Sequence, residues 1–501
     1  MPNKPHVDLV LINPANRKRI YQSLSNTMSA IEPPVWAGLM ATFIRQKGLS
    51  VEIIDCSADN LSPEETAQAV EALSPILTAI VVYGQQPSAS TQVMPGASTV
   101  CNAIKAALPE QTVIMVGGHV ASLPQRTLDE ETADFVASGE GLQTILDLVQ
   151  ALKANDDTYH KVPDLWYRDN GTVHFTKPAP LIQDLNNEMP GISWDLLPMD
   201  KYRAHNWHCF GNLDREPYAA IYTTLGCPFH CSFCCIQAPF KSGEQVLGFK
   251  ESVNTYRFWD PKIVVDQIDI LVNKYGVRNI KFADEMFVLN NRHISGICDL
   301  IIERGYDLNI WAYTRIDTIK DRMIDKLKRA GVNWLAFGIE AASERVRDEV
   351  QKGVGQEDIF AVIKKVQDAG IYIIGNYIFG LPEDDHETMQ ETLDMALELN
   401  CEFGNFYSAM AYPGSDLYQA ALREGWALPE TWAGYSQHAV DTLPLPTKHL
   451  SAAEVLRFRD DAFQTYYNHH PYLTMITEKF GAETTAHIQD MAAVKLARKY
   501  V

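Results

Sequence analysis

The sequence predicts an α/β protein. It comprises a doubly wound, Rossmann-like N-terminal domain, a partial barrel of six β/α units and a small helical C-terminal extension. Short apolar segments alternate with amphipathic ones from residue 7 to 152 and again from 219 to 410, which is typical of parallel sheets covered by helices. Glycines and polar residues follow many of these apolar segments, where the ligand sites of parallel sheets lie.

Length and composition describe an ordinary globular protein, with 501 residues, 46% hydrophobic and 21% charged. The net charge of −20 argues against a nucleic-acid partner, because phosphate contacts need a basic surface. No apolar run reaches the roughly 20 residues of a membrane helix, and the first apolar segment is too short for a signal peptide. Nine cysteines, three of them in one loop, suit a reducing compartment. We therefore expect a cytoplasmic protein without a membrane span.

Four regions follow one another along the chain. We predict the doubly wound domain at 1–160, a hairpin and linker at 161–217, the partial barrel at 218–440 and the helical extension at 441–501. Asn170-Gly171 between two strand patterns predicts the hairpin. Ser451 and Glu454 form a capping-box pattern that opens a helix of the extension.

The strand ends of the first region favour a ligand site. Glycine and small polar residues there let a ligand approach the backbone. No G-x-G-x-x-G follows the first strand and no phosphate loop is present, which disfavours a dinucleotide or nucleoside triphosphate. The candidate ligand contacts are Asn13, Pro14, Gln85, Gln86, Pro87, Ser88, Gly117, Gly118, His119, Ser138, Gly139, Glu140 and Gly141.

A cysteine loop follows the first strand of the second region. Cys227, Cys231 and Cys234 have the spacing C-x3-C-x2-C, so they can converge on one inorganic centre. Three thiolates cannot complete the four-thiolate shell of a cubane cluster, which leaves one iron open for a ligand. Two alternatives remain: a structural zinc site, for which no second CxxC or HxxxH pattern lies downstream, and a disulfide, which needs an oxidising compartment.

The cysteine loop, with Phe233 before its third cysteine and a strand before it, resembles the signature of the radical S-adenosylmethionine (SAM) enzymes. The resemblance implies a 4Fe-4S cluster held by the three cysteines, with SAM bound through its amino and carboxylate groups to the open iron. It also implies a six-unit partial barrel and places Phe233 beside the adenine of SAM.

Polar residues at the strand ends of the second region are candidate SAM contacts. Carboxylates can hold an ammonium group and ribose hydroxyls, and a guanidinium can hold a carboxylate. By resemblance, F-A-D-E-M-F provides the amine-binding segment, with either Asp284 or Glu285 as the acceptor, and G-I-E-A-A-S favours Glu340 for the ribose. Arg315 and Ser343 complete the candidates. Each acid also fits a helix N-terminus.

The stretches V-G-G-H-V-A-S-L-P and D-F-V-A-S-G-E-G resemble the cobalamin-binding domain that precedes many radical SAM enzymes. The D-x-H-x-x-G motif that supplies a histidine to cobalt elsewhere is absent, so no residue is assigned to the lower face of cobalt. Histidine is a common metal ligand, but the Gly-Gly before His119 favours a loop residue that faces the backbone. The alternative is a domain that has lost cobalamin.

Together these resemblances imply a cobalamin-dependent radical SAM enzyme. It would cleave SAM reductively to a 5′-deoxyadenosyl radical, take one electron from an external flavodoxin- or ferredoxin-type donor, and methylate an unactivated carbon of a small molecule. The main alternative is a radical cyclase like the anaerobic magnesium-protoporphyrin group, whose C-terminal extension this chain resembles. A tRNA methylthiotransferase would call for a second cluster and a basic RNA-binding domain, and neither is found in the sequence. No catalytic acid or base is assigned.

Overall fold

The computed structural model describes residues 6–15, 20, 22, 29–155, 157–353 and 356–501. The first five residues, which belong to the segment where no signal peptide is expected, lie outside this part of the chain. None of the described helices combines the length and the apolar character that crossing a membrane requires.

The first sheet contains seven strands: β1 Leu9–Asn13, β2 Val51–Asp55, β3 Leu77–Val81, β4 Val113–Val116, β5 Phe135–Ala137, β6 Leu165–Asp169 and β7 Thr172–Phe175. Their order is β2-β1-β3-β4-β5-β6-β7. The first five strands are parallel. The predicted hairpin forms β6 and β7 and extends the sheet in antiparallel fashion beyond β5. Because the strand order reverses between β1 and β3, their carboxyl ends border a crevice of the kind that binds ligands.

Helices cover both faces of this sheet, which confirms the doubly wound prediction. Buried faces of these helices pack on alternating sides of strands whose residues are almost all inaccessible to solvent. The bounds are α1 Val35–Gln46, α2 Pro63–Leu73, α3 Ala89–Ala107, α4 Gly118–Ser122, α5 Pro124–Glu130 and α6 Leu142–Ala154; α7 Leu185–Glu188 lies in the linker.

The second sheet contains six parallel strands: β8 Tyr218–Ile221, β11 Asn279–Phe282, β12 Asn309–Thr314, β13 Val332–Glu340, β14 Tyr372–Phe379 and β15 Phe403–Ser408. Their order, β15-β14-β13-β12-β11-β8, leaves β8 and β15 at opposite edges, so the barrel is open. A small antiparallel pair, β9 Thr224–Leu225 and β10 Arg257–Phe258, stands beside it. The six-unit partial barrel is confirmed.

Helices follow most of the six strands and pack on the outside of the sheet. Because the six strands are parallel, all of their carboxyl ends lie at one mouth of the barrel, as in closed (β/α)8 barrels. The bounds are α8 Lys241–Val246, α9 Pro261–Tyr275, α10 Asn291–Arg304, α11 Asp321–Arg329, α12 Glu344–Glu349, α13 Gln356–Asp368, α14 His386–Leu399 and α15 Asp416–Glu424.

The C-terminal extension consists of α16 Ala452–Tyr467, α17 His470–Phe480 and α18 Ala482–Ala493. It seals the free edge of β15 with tyrosine hydroxyls. Tyr466 donates to the carbonyl of Cys401 (2.6 Å), and Tyr467 donates to the carbonyl of Gly404 (2.7 Å) and accepts from the amide of Gly404 (3.1 Å). Tyr472 donates to the carbonyl of Glu402 (3.2 Å). Edge groups that would otherwise be unpaired are thereby satisfied.

Buried ion pairs join the first domain to the barrel. Glu140, in the turn after β5, accepts from Arg257 (2.7 Å), and both side chains are less than 10% exposed. Lys281 of β11 lies 3.0 Å from Glu32, which precedes α1, and both of these side chains are also less than 10% exposed. The two domains therefore share one desolvated contact.

Candidate active site

A cavity of about 1130 Å³ lies between the first sheet and the mouth of the barrel. Its walls come from the loop after β3, the cysteine loop, the carboxyl ends of β11–β15 and the C-terminal tail. This exceeds the roughly 300–1,000 Å³ of a pocket for one drug-sized ligand. The predicted site residues on its wall are Gln85, Gln86, Pro87, Ser88, Cys227, Cys231, Phe233, Cys234, Glu285, Arg315 and Glu340.

The cysteine loop is shaped by the backbone around it. Gly226 has φ +85°, and a side chain there would collide with the carbonyl of Thr255. The amide of Cys227 donates to the side chain of Gln237 (3.2 Å), which holds the start of the loop. Glycine is therefore required at the point where the chain leaves β9 and turns toward the cavity.

All three cysteines of the loop are partly buried on the cavity wall. Burial raises the pKa of Cys227 to about 12 and that of Cys234 well above its ordinary value, so a bound cation would be needed to hold them as thiolates. Among the described residues, no three His, Cys, Asp or Glu side chains converge closely enough to hold one metal ion. Cys227, Cys231 and Cys234 remain the predicted cluster ligands.

Asp284 and Glu285 are adjacent in sequence but have different surroundings. Asp284 is fully buried and accepts from the amide and hydroxyl of Thr223 (2.5 Å each) and the amide of Thr224 (2.9 Å), so it fixes the connection between β8 and β9. Glu285 faces the cavity, and its Oε2 is buried without a hydrogen-bond partner. Burial raises the pKa of Glu285 to about 8. Of the two acids, Glu285 keeps a buried oxygen open to a bound amino group and stays the predicted acceptor.

Arg315 reaches the cavity beside the cysteine loop. Its Nη1 lies 3.7 Å from Sγ of Cys231, and its guanidinium stacks 3.9 Å from the ring centre of Phe229. Asp317 accepts from both Nε (2.9 Å) and Nη2 (3.0 Å), which fixes the plane of the guanidinium. The remaining face of Arg315 is thus aimed toward the cysteines, where it can hold a carboxylate.

Glu340 ends β13 with a backbone φ of +66°, a conformation that non-glycine residues rarely adopt. Its carboxylate accepts from Lys352 (2.7 Å), and both side chains are under 10% exposed on the cavity wall. The charge of Glu340 outweighs burial and keeps the pKa of Lys352 raised. Strain of this kind is common at ligand sites. Ser343, by contrast, lies off the cavity wall at the start of α12.

Comparison with known proteins identifies both domains. The model of the radical SAM superfamily matches residues 221–396, and that of the B12-binding domain matches residues 23–149. The chain belongs to the radical SAM enzymes that carry a B12-binding domain. It uses a 4Fe-4S cluster, SAM and cobalamin.

Relatives of this radical SAM enzyme include an uncharacterised methyltransferase of Pyrococcus horikoshii, 28% identical over 92% of both chains. The anaerobic magnesium-protoporphyrin IX monomethyl ester cyclase of Cereibacter sphaeroides is 26% identical over 89% of this chain and 69% of its own length. Among solved structures, the cobalamin-dependent SAM radical enzyme OxsB has a TM-score of 0.64 at 14% identity, covering 98% of this chain and 72% of that one. At 14% identity, the similarity to OxsB shows a shared fold.

The loop after β3 belongs to the B12-binding domain and opens into the enzyme's cavity together with Ser29, Glu32 and Gln92. Lys281 of the barrel donates to the carbonyl of Gln85 (2.8 Å), while its other partner, Glu32, is held by the linker's His205 (3.3 Å). Burial alone would raise the pKa of Glu32, but the charge of Lys281 lowers it to about 2. Gln86 lies 3.5 Å from the hydroxyl of Tyr313. The loop is thereby fixed relative to the barrel and fits a cofactor held between the two domains.

Other predicted cobalamin contacts lie away from the main cavity. Asn13 and Pro14 line an adjoining cavity of about 90 Å³. His119 is buried beside Trp432 and lies 3.1 Å from the hydroxyl of Thr91. Burial lowers its pKa to about 3, so the imidazole is neutral. Gly117 has φ +150° and packs on the carbonyl of Val82. The cobalamin contacts of Gly117, Gly118 and His119 remain predictions.

The turn after β5 contacts protein on every side. Gly139 packs against Asp164, and Gly141 packs against Val116. Ser138 donates to the backbone carbonyl of Asp164 through its amide (3.0 Å). Glu140 accepts from Arg257 and from the amide of Ile182 (2.9 Å). Cobalamin contacts by Ser138, Gly139, Glu140 and Gly141 also remain predictions, and the structure gives Glu140 an interdomain role.

Sequence reasoning missed three buried ionisable residues of the site: Glu32, Lys281 and Lys352. Lys281 had a detectable signal, because a lysine interrupts an otherwise apolar strand pattern, N-I-K-F. A charged residue is almost never buried in a strand without a partner, so its presence there indicates one. Lys352 and Glu32 follow no such pattern, since they lie outside the regular elements.

Proposed function

We propose that this enzyme methylates an unactivated carbon of a small-molecule substrate, with an external flavodoxin- or ferredoxin-type electron donor, in the cytoplasm and without a nucleic-acid partner. One observation carries the proposal. The cysteine loop, the SAM candidates Glu285, Arg315 and Glu340, and the B12-domain loop 85–88 open into the same cavity. When bound, SAM at the cluster supplies a hydrogen-abstracting radical, and cobalamin supplies a methyl carrier.

The chain's own residues orient these groups and exclude water. Glu285 offers a carboxylate oxygen without a partner to an ammonium group. Arg315, held by Asp317, offers a fixed guanidinium to a carboxylate. Lys281 holds the carbonyl of Gln85 and so keeps the cobalamin-side loop at a set distance from the barrel. The domain contact around Lys281 and Glu32 is closed to solvent, which suits radical chemistry.

Further support comes from the relatives and from composition. The Pyrococcus horikoshii relative is named a methyltransferase and is similar over 92% of both chains. The net charge of −20 disfavours a nucleic-acid substrate. All nine cysteines are free, six of them buried outright, which suits a reducing cytoplasm.

A radical cyclase is the second candidate, and it is favoured by similarity to the magnesium-protoporphyrin cyclase of Cereibacter sphaeroides. The two functions differ in the fate of the methyl group. The test is anaerobic incubation of the reconstituted enzyme with methyl-labelled SAM and candidate substrates. Label in the product supports methyl transfer, whereas deoxyadenosine with an unlabelled product supports the cyclase. If neither appears with any substrate, both proposals are wrong.

The cluster requirement is tested with Cys227→Ala. We expect it to abolish SAM cleavage while cobalamin remains bound, because the loop after β3 does not depend on Cys227. Cys298→Ala, a buried cysteine in α10 away from the cavity, is the matched control and should retain cleavage. Deoxyadenosine by chromatography and cobalamin by absorbance are the readouts, and cleavage by Cys227→Ala would contradict the proposal.

A further inference from the structure

Two buried guanidinium groups lie at the β15 end of the cavity. The SAM candidates Glu285, Arg315 and Glu340 stand at the ends of β11, β12 and β13, which β14 separates from β15. Arg459 belongs to α16, which packs on β15, and Arg498 belongs to the tail after α18. Both arginines line the cavity, and the side chain of each is 6% exposed. This arginine pair is therefore part of the site but is separated from the predicted SAM contacts by a strand of the sheet.

Arg498 uses all of its hydrogen-bond donors within the protein. Its Nε and Nη2 donate to the carboxylate of Asp460, at 2.9 and 2.8 Å. Nη2 also donates to the carbonyl of Gln437 (3.0 Å), and Nη1 donates to the carbonyl of Ala439 (3.2 Å) and to the hydroxyl of Thr442 (3.0 Å). A guanidinium has five N–H groups, and these bonds account for all of them. Arg498 therefore fastens the tail to the protein and has no donor left for a ligand.

Arg459 differs from Arg498 because part of its guanidinium has no partner. Its Nε donates to the carbonyl of Phe406 (2.7 Å), and its Nη1 donates to Asp460 (2.8 Å). Nη2 has no hydrogen-bond partner in the part of the chain that the structure describes. Buried polar groups are nearly always hydrogen-bonded, and Arg459 is 5% exposed on the cavity wall. The open donors are therefore available to a ligand in the cavity.

The arginine pair also leaves a buried positive charge. Two guanidiniums share the one carboxylate of Asp460, which gives this group a net charge of +1. Burial lowers the pKa of Arg459 although Asp460 acts in the other direction, and an arginine keeps its charge in a protein. Burial and both arginines lower the pKa of His438 to about 3, so its imidazole is neutral. Asp461 and Lys495 also line the cavity, but both are exposed and opposite in sign. A buried charge is costly without a counter-charge, so this end of the cavity favours an anion.

We propose that Arg459 binds an oxyanion group of the substrate, a carboxylate or a phosphoryl group, at the β15 end of the cavity. The inference rests on the proposed function and names the substrate class: a small molecule with an anionic end, held so that the carbon to be methylated lies toward the SAM candidates. Strand β14, between the two ends, contributes Ile374, Asn376 and Ile378 to the wall, none of them charged. The body of the substrate therefore meets an uncharged surface, and its oxyanion receives charge-assisted hydrogen bonds from the guanidinium.

The test measures anion binding to the enzyme loaded with its cluster, cobalamin and SAM, without a reductant. The probes are benzoate and inorganic phosphate, with benzamide as the neutral match of benzoate, and calorimetric titration gives each Kd. We expect at least one of the anions to bind and benzamide not to bind. In Arg459→Gln the Kd of the anion should rise about tenfold or more. In Asp460→Asn, which removes the carboxylate that the arginines share, it should fall about threefold. Arg457→Gln, exposed on the same helix and off the cavity wall, is the control and should change nothing.

The Asp460→Asn variant separates binding from folding, because a purely structural role for Arg459 predicts no gain in affinity. The inference is overturned if neither anion binds, if benzamide binds equally well, or if Arg459→Gln binds like the wild type. It is also overturned if anions bind only to cobalamin-free enzyme and Arg459→Gln raises the Kd of cobalamin, because the arginine would then hold the phosphodiester of cobalamin. Anion binding without any SAM cleavage by dithionite would contradict the proposed function and not the oxyanion site. SAM cleavage without anion binding would contradict the oxyanion site alone.

Discussion

Glu285 enters the cavity while its neighbour Asp284 does not, because successive residues leaving a strand point to opposite sides. The sequence offered both acids for the SAM ammonium. Only the hydrogen bonds from Thr223 and Thr224 to Asp284 show that this carboxylate is already occupied. The one with a buried oxygen left unpaired is Glu285. The unpaired oxygen therefore favours Glu285 as the predicted acceptor from SAM.

Glu285 predicts a pH dependence of SAM binding. Burial raises its pKa to about 8, so it is largely protonated below that pH, whereas a bound ammonium needs the carboxylate. Affinity should therefore rise from pH 6 to about pH 8 and then level off, with proton release on binding at low pH. Calorimetry of the anaerobically reconstituted enzyme measures both. Glu285→Gln should bind SAM at least about tenfold more weakly with a flat profile; an unchanged profile would contradict the assignment.

Because Lys352 and Glu340 form a buried ion pair, we expect the loss of Lys352 to lower the stability of the fold strongly. Lys352→Met leaves the carboxylate of Glu340 buried and unpaired, which should lower the free energy of unfolding by about 3–5 kcal/mol. Lys364→Met removes an exposed lysine that pairs with Asp368 and should cost under about 1 kcal/mol. Urea unfolding followed by circular dichroism compares the two. Similar midpoints for both variants would show that the buried pair contributes no more than the exposed one.

Strand β11 does more than complete the barrel. Its third residue, Lys281, crosses the domain contact and donates to both Glu32 and the carbonyl of Gln85. A barrel strand thereby sets the position of the loop after β3, which belongs to the other domain. The distance between the two cofactor regions therefore depends on this element as well as on the linker, whose His205 contacts Glu32.

Lys281→Met should weaken cobalamin binding about tenfold, the equivalent of one charged hydrogen bond. Cleavage of SAM should persist, because Lys281 holds the cobalamin-side loop and not the cysteine loop. The expected signature is a rise in the ratio of deoxyadenosine to methylated product, together with a higher Kd for cobalamin by absorbance titration. Lys262→Met, 75% exposed on α9, is the control. A proportional loss of both products would instead indicate general misfolding.

At the scale of the whole molecule, buried charge holds two domains as one unit. Arg257 pairs with Glu140, donates to the carbonyl of Ile182 (2.6 Å) and lies 5.1 Å from the ring centre of Phe240. Interfaces between domains usually resemble transient ones, whereas this one contains ion pairs nearly closed to solvent. We therefore expect the two domains to unfold together.

Arg257→Met should separate the two unfolding transitions. It removes the partner of a buried carboxylate at the domain contact, so each domain can lose structure without the other. Differential scanning calorimetry of the wild type should show one endotherm, and that of the variant two, with cobalamin shifting only one of the two. Arg278→Met, 67% exposed, is the control and should keep one endotherm. Two endotherms in the wild type would contradict the prediction.

Local patterns were enough to predict both sheets, whereas the assignment of the cluster ligands stays a prediction. The alternation of apolar segments predicted the parallel strands, and the spacing of Cys227, Cys231 and Cys234 needed no tertiary information. The pair Glu32–Lys281 joins residues 249 positions apart, and no local pattern links them. The hairpin was predicted, but its pairing with β5 was not. The sequence of an antiparallel edge strand does not indicate which strand it will pair with. Contacts across domains were the part that sequence could not supply.

The tyrosines that seal the edge of β15 also govern what happens when the chain is shortened. A chain ending before Ala452 would keep both predicted cofactor regions but uncover the edge of β15 that β14 does not pair with, including the carbonyl of Gly404, and the carbonyls of Cys401 and Glu402 just before the strand. Such an edge can pair with the same edge of a second molecule. The short-term result in an expression host would be inclusion bodies. The extension thus acts as a built-in guard against self-association, which any attempt to trim this enzyme must preserve.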